Sequence, residues 1–447
     1  MNIDFKSFPR RQYIKFAIAA TIYLLWVIWL GNYFWLLGLP VIFDMYLSKM
    51  VNWTFWKKRN QKNSSIVEWV DALIFALIAV SFINLFLFQN FNIPTSSMEK
   101  SLLVGDYLFV SKVSYGPRVP ATPLSFPLVQ HTLPLTKDKN SFLTWIQNPY
   151  RRLAGFNKVK NNDPIVFNYP EGDTVCTKYQ SNESFYSLVR RYGRQAVLNN
   201  TDAFGKIVVR PVDRRENFIK RCIGTPGDTI EVRHNWVFVN GVAQDSIENM
   251  QFTYDILTDG TPINQKKLEA MDVAREDIQF SNGEYILPLS FKKAKEFARF
   301  TNVRSVALME TPAGEWDGIT FPFTAEFKWN RDNYGPVWIP KKGATVPLTL
   351  QNLPLYDRVI HAYEGHDLKV TGGQILIDGK PATSYTFKMD YYWMMGDNRH
   401  NSADSRFWGF VPEDHIVGKP KFVYLSMNKD KKFPGNIRWN RVFMKIR

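Results

Sequence analysis

Four short islands of this chain hold residue types able to do covalent chemistry. The first, residues 92–102 (NIPTSSMEKSL), places Thr95, Ser96 and Ser97 in a row. The second is residues 163–170 (DPIVFNYP), and the third, 218–228 (FIKRCIGTPGD), carries Lys220. The fourth, 394–409 (MMGDNRHNSADSRFWG), holds Asp397, Arg399, His400, Ser402, Asp404 and Arg406. A serine hydroxyl is a poor nucleophile until a base takes its proton. Of the six histidines only His400 falls in an island, so a Ser/His/Asp triad is the weaker assignment. A lysine base is a known variant of the same logic. It must be neutral to act, and burial can lower its usual value of about 10.4 by roughly 3–5 units. Phe218, Ile219, Cys222 and Ile223 make an apolar strand around Lys220, and strand alternation puts Lys220 on the face of Cys222, inward.

Taken singly, these residues have bland uses. Ser97 alone reads as a helix cap or a solvated hydroxyl, and Lys220 alone as an exposed strand lysine in an ion pair. Asp397 and Asp404 have the chemistry of an acid/base pair or of metal ligands. Arg399 and Arg406 stand two residues beyond each, so ion pairing is the expected use and no metal is expected. His361 is expected to be structural.

The elements that must position these islands begin in an apolar N-terminus. Residues 16–43 carry no charge, which exceeds the roughly 20 residues one helix needs to cross a bilayer. Gly31, Asn32, Gly38 and Pro40 interrupt that run. Two short spans turning near Gly31, or one span and a surface helix, both fit. A basic patch at 57–62 follows, then a second uncharged run at 72–88. Basic flanks tend to stay in the cytoplasm. That rule puts the patch inside and everything after Gln89 outside, and Arg10, Arg11 and Lys15 then favour three spans. From residue 90 onward short β-type segments alternate with turn signals, at 107–110, 164–168, 229–232, 237–239, 374–377, 391–395 and 421–425. Helical pattern is confined to 184–198 and 292–300. Residues 218–243 are loosely echoed by 359–382, each ending in a hairpin signal, Asn240-Gly241 or Asp378-Gly379.

In their order the four islands resemble the signature boxes of bacterial type I signal peptidases, and GDNR, NSADSR and FWGFVP in the last are the most specific. About 60 residues carry the close resemblance; 174–216 and 244–356 match nothing. The resemblance implies a mainly β, extracytoplasmic catalytic region with an inserted subdomain, preceded by N-terminal transmembrane helices. It divides the chain into a membrane anchor (1–90), a catalytic β domain (91–243 and 357–447) and an insertion (244–356). It implies Ser97 as nucleophile, Lys220 as general base and Thr95 as the hydroxyl that helps the Ser97 N–H hold an oxyanion. Ser402 falls on the serine that orients the lysine, with Asp404 and Arg406 a supporting ion pair. Ile93, Met98, Leu102, Phe218 and Ile219 fall on the apolar lining of pockets for small side chains. Lys100-Ser101 replaces the family's Pro-Thr after the nucleophile, and Thr95 stands where many relatives have serine. The implied activity is removal of signal peptides from exported preproteins at the bacterial inner membrane, catalytic side periplasmic, without a cofactor. Partners would be signal peptides, membrane lipid and the secretion machinery.

The formal charge of +15 suits nucleic acid or an anionic membrane surface. No nucleic-acid-binding signature accompanies it and the N-terminus is apolar, so the membrane is expected and nucleic acid is not. The basic run at 419–447 reads as a solvated surface or an aid to lipid attraction, and residues 143–146 (LTWI) as an interfacial or a core segment. Cys176 and Cys222 are either a disulfide or two buried thiols. Two rival functions remain on residues alone. A self-cleaving repressor is disfavoured by the apolar N-terminus. A membrane-anchored β-rich binding or assembly module with vestigial protease residues is separable by the effect of changing Lys220.

Overall fold

A computed structural model describes residues 9–57, 63–136, 139–244, 250–271, 273, 278–429 and 431–446. Most of the basic patch, residues 58–62, lies outside the described residues. Among the described residues two helices are long and apolar enough to cross a membrane, α1 (Arg10–Leu30) and α2 (Ser65–Phe86). Gly31, at φ +59°, ends α1 in the left-handed conformation that glycine adopts freely. The chain then doubles back as a shorter apolar helix, Tyr33–Ser48. The Tyr23 hydroxyl donates to the Trp35 carbonyl, and Phe16 meets Phe43 edge to face, so this segment retraces α1 toward its start. Trp26 and Trp29 pack on Phe86, which sets the C-terminal ends of α1 and α2 side by side. The path therefore runs out, back and out. The return leg is shorter than the roughly 20 residues a full-length spanning helix takes and changes helical type twice, from 3-10 through α to π.

The core sheet begins one residue beyond α2. Its main strands are β1 (Phe88–Asn92), β2 (Asp106–Ser111), β3 (Pro164–Asn168), β4 (Asn217–Gly224), β5 (Tyr391–Met395) and β6 (Ile416–Ser426). They pair in the order β1-β2-β6-β3-β4-β5, antiparallel throughout. Apolar residues line both faces. Ile165, Phe167, Cys222 and Met394 fill one cluster; Leu108, Val110, Val166 and Val423 fill the other. Cys176 and Cys222 are buried free thiols in separate clusters, so the disulfide alternative is set aside.

A second β layer grows from the turn after β4. Thr229–Arg233, Trp236–Val239 and Val242–Ala243 form a meander, and Leu368–Thr371, Gln374–Ile377 and Lys380–Pro381 form another. Asn240, Gly241, Asp378 and Gly379 all have positive φ, the requirement of the tight hairpins expected there. The echo between the two regions stops at these meanders. Opposite β4 the second region has a π-helix, Val359–Tyr363, on which His361 bonds only locally, to the His366 carbonyl at 3.0 Å.

The expected insertion at 244–356 also needs correcting. A four-stranded sheet, its strands within Gln251–Thr258, Gln279–Ser281, Glu284–Ser290 and Val303–Leu308, has its own core around Phe252, Ile256, Leu287 and Phe297. Past Leu308 the chain returns: Tyr334–Trp338 pairs with Thr229–Arg233, and Phe321, Leu353 and Tyr356 pack into the second layer's core. The separate unit ends near residue 308, because the buried apolar residues from Phe321 to Tyr356 pack into that layer. The helix expected at 184–198 is broken by Gly193 into Phe185–Tyr192 and Arg194–Asn199.

Candidate active site

Ser97 lies in a 3-10 turn, Ser96–Met98, five residues beyond the edge strand β1. In the first turn of such a helix the N–H groups have no intrahelical acceptor, so the Ser97 N–H is open to an outside oxygen. Thr95, two residues earlier, is exposed in extended conformation, and its side chain does not cap the turn. The Ser97 hydroxyl is 2.6 Å from the Lys220 amine, which reaches it from β4. That amine also donates to the Ile219 carbonyl at 3.1 Å. Lys220 is only 4% exposed. Burial pushes its ammonium down to about 8, against the pull of Asp404 and Asp397, which favour the charged form.

Two buried ion pairs brace the site. Arg406 grips Asp404 through two bonds, of 2.9 and 2.8 Å. Arg221 grips Asp397 at 2.8 and 2.7 Å. Asp397 thus takes the arginine adjacent to Lys220, not Arg399, because alternation on β4 turns Arg221 toward the 397–402 loop. Burial alone would raise the Asp404 carboxyl. The Arg406 guanidinium, with bonds from the Gly396 N–H and the Ser402 hydroxyl, holds it below its ordinary value. Ser402 is therefore turned to Asp404 and to the Ala403 carbonyl, and forms no bond to Lys220. A side chain at Gly396 would strike the Ser402 hydroxyl at 2.3 Å and the Ser97 carbonyl at 2.6 Å, so only glycine lets these segments meet.

The expected apolar lining splits between two faces of the sheet. Ile93, Met98, Leu102 and Ile219 share one cluster. Phe218 points the other way, stacked 4.5 Å from Tyr169 and packed on Trp408. Neighbours on a strand cannot share a face.

Two asparagines of the last island, Asn398 and Asn401, also hold the nucleophile's turn. The Asn398 N–H donates to the Ser97 carbonyl at 3.1 Å, and the Asn401 amide to the Ser96 hydroxyl at 3.0 Å. Their place inside the GDNR and NSADSR islands was the available signal. His400 is occupied elsewhere. Its Nδ1 accepts from the Thr253 N–H at 3.0 Å, and its Nε2 lies 2.9 Å from both Asn235 and Asp332. It ties the inserted sheet to the second layer. Among the described residues no group of His, Cys, Asp or Glu is arranged to hold a metal.

The family model for signal peptidases, peptidase S26, matches residues 66–287 and 380–425, a stretch that holds Ser97, Lys220 and Ser402. The chain belongs to this peptidase S26 family. Relatives include the signal peptidase I of Haemophilus influenzae, 23% identical over 393 residues, 88% of this chain and 79% of that one. The signal peptidase I of Helicobacter pylori is 23% identical over 391 residues, covering 85% and 91%. That of Buchnera aphidicola from Schizaphis graminum is 22% identical over 374 residues, covering 83% and 80%. The mainly β fold with its curled sheet is that of the S26 family. His400→Ala in this S26 protein should weaken the fold by about 1–3 kcal/mol, the cost of stranding buried partners. It should leave the pH dependence of peptide hydrolysis where it was. A pH titration of kcat/KM checks this, and a midpoint that moves would return His400 to the chemistry.

Proposed function

We propose that the chain is a membrane-anchored serine endopeptidase that removes N-terminal signal peptides from exported preproteins, using Ser97 and Lys220. The observation that carries the reading is the 2.6 Å contact between a serine hydroxyl and a buried amine held down to about 8. Neutral Lys220 takes the Ser97 proton as Oγ attacks the scissile carbonyl. The oxyanion is met by the Ser97 N–H and the Thr95 hydroxyl. The Lys220 ammonium then returns its proton to the leaving amine, and neutral Lys220 activates the water that frees the acyl-enzyme. Ser402 is the proposed second anchor of the amine, reached by rotating its hydroxyl away from Asp404. Asp404 and Arg406 hold the loop that presents it.

Substrate is proposed to lie extended, with small side chains above the floor made by Ile93, Met98, Leu102 and Ile219. These four are at least half buried, and a shallow floor admits Ala or Gly while excluding bulk. α1 and α2 are the proposed anchor in the bacterial cytoplasmic membrane, with the sheet on the extracytoplasmic side. The nucleophile then stands eleven residues past Phe86, near the surface where a signal peptide emerges.

The decisive experiment is cleavage of a purified preprotein by the detergent-solubilised chain, reading the new N-terminus by mass spectrometry. Cutting after a small-x-small site supports the proposal; several intact preproteins with folded enzyme would return the binding-module reading. The pH profile follows from Lys220. Below about 8 only the neutral fraction works, roughly a tenth of the enzyme at pH 7, so kcat/KM should rise about tenfold per unit and level above 8. A rise centred near 6.5 would point to histidine instead.

A further inference from the structure

Residues 116–156 leave the core as an arm of two opposed limbs, bridged at Arg118–Arg152, Ser125–Phe142 and Thr132–Asn140. Its base rests on the ends of the two long helices. The Trp29 indole donates to the Ala154 carbonyl at 3.1 Å, and Leu153 shares a buried cluster with Leu30 and Phe86. The arm is pinned firmly to the catalytic unit. Arg152 donates to the carbonyls of Gly116, Glu413 and Ile416, and Arg118 to Asn168 and the Asp414 carbonyl. Thr122 is held by Asp213 through both its N–H and its hydroxyl.

A segment so well anchored still exposes large apolar side chains along its length: Leu124, Phe126, Leu143, Trp145, Ile146 and Phe156. Trp145 is 81% exposed and Phe156 85%. Apolar exposure on this scale, gathered on one short segment, marks a contact with something other than water. Its contact with α1 and α2 identifies what covers it, since the arm's base packs on the ends of two helices whose own apolar side chains are exposed. Tryptophan beside aliphatic residues suits the headgroup boundary, and exposed Arg151, Lys158 and Lys160 supply the cations that anionic headgroups attract.

We propose that this arm lies in the interface of the bilayer that α1 and α2 cross, and that it sets the height and tilt of Ser97 above the membrane. The catalytic unit joins the helices over one small area, through Leu87 and the contacts of Leu153 and Ala154, and a single small junction restrains tilt weakly. A second contact some distance along the arm removes that freedom. The inference rests on the anchored reading of the two helices.

The test uses the full chain in phosphatidylethanolamine/phosphatidylglycerol vesicles with nitroxide labels at Trp145→Cys, Phe126→Cys, Ile78→Cys on α2 and Val242→Cys on the far hairpin. Labels at 145, 126 and 78 should be quenched more by lipid-soluble oxygen than by an aqueous nickel chelate, and the label at 242 the reverse. Aqueous behaviour at 145 and 126 with lipid behaviour at 78 overturns the arm and leaves the anchor standing. Aqueous behaviour at 78 overturns both. Separately, the pair Trp145→Ser and Ile146→Ser should slow cleavage of a bilayer-inserted precursor at least about tenfold while a soluble peptide is cut as before. Equal loss on both substrates, or none, overturns the positioning role.

Discussion

Ser97→Ala and Lys220→Met should each abolish preprotein cleavage, lowering kcat by about 10⁴–10⁶, and the double variant should be no worse than either alone. Residues that act as one unit are not additive, because removing either leaves the other without a task. The geometry makes the two changes equivalent in kind. Ser97 without its acceptor keeps its proton, and Lys220 without Ser97 has nothing to deprotonate at 2.6 Å. Methionine replaces the buried amine with a chain of similar length and no charge, so the fold should tolerate it and even gain from losing a desolvated ammonium. Steady-state hydrolysis of one preprotein by all three variants, with circular dichroism to confirm folding, checks the expectation. If Lys220→Met cuts at the wild-type rate, Lys220 is not the base. If the double variant is far slower than either single one, the two residues act independently.

The largest loss of stability is expected at the ion pair beneath the site. Arg406→Ala leaves Asp404 charged and fully buried, stripped of the two guanidinium bonds that hold it. Breaking such a pair from one side costs about 3–5 kcal/mol. For a unit of this size that is a fall in Tm on the order of 10 °C. Replacing both partners, Asp404→Leu with Arg406→Met, should recover most of the loss, since no lone buried charge remains. Near-UV circular dichroism of the solubilised protein during heating would measure it. A drop under about 1 kcal/mol for Arg406→Ala would mean that water already screens the pair. Asp404 also favours the charged form of Lys220. Any active Asp404→Leu/Arg406→Met protein should therefore reach its activity plateau at lower pH.

The expectations that held were those set by local rules. Pro164–Asn168, Gln374–Ile377 and Tyr391–Met395 form where alternation and β-branched or aromatic residues called for strands. The two hairpins turn at Asn-Gly and Asp-Gly, the dipeptides that accept two successive positive φ values. Expectations failed where distant partners decide. Val359–Tyr363 has strand-like composition yet coils as a π-helix, packed through Val359 and Ile360 into the second core. Residues 309–356 looked like part of an insertion, but Tyr334–Trp338 completes a sheet begun a hundred residues earlier. No window of sequence records such a pairing.

The candidate site divides along the same line. Sequence by itself settled which residues have the chemistry: a serine beside a long apolar segment, a lysine inside an apolar strand, and an acid-arginine loop dense with polar groups. It also pointed to the family, through four islands in the family's order, and the family model matches across them. Tertiary structure alone decided that they meet. β1 and β4 are four places apart in the sheet, about 19 Å if it were flat. Only its curl brings the turn after β1 onto the side chain of Lys220. Tertiary pairing also decides that Asp397 meets Arg221 and not Arg399, and that Ser402 faces Asp404. Proximity across a curled sheet is a property of its twist and pairing order, summed over every strand, and no single residue carries it.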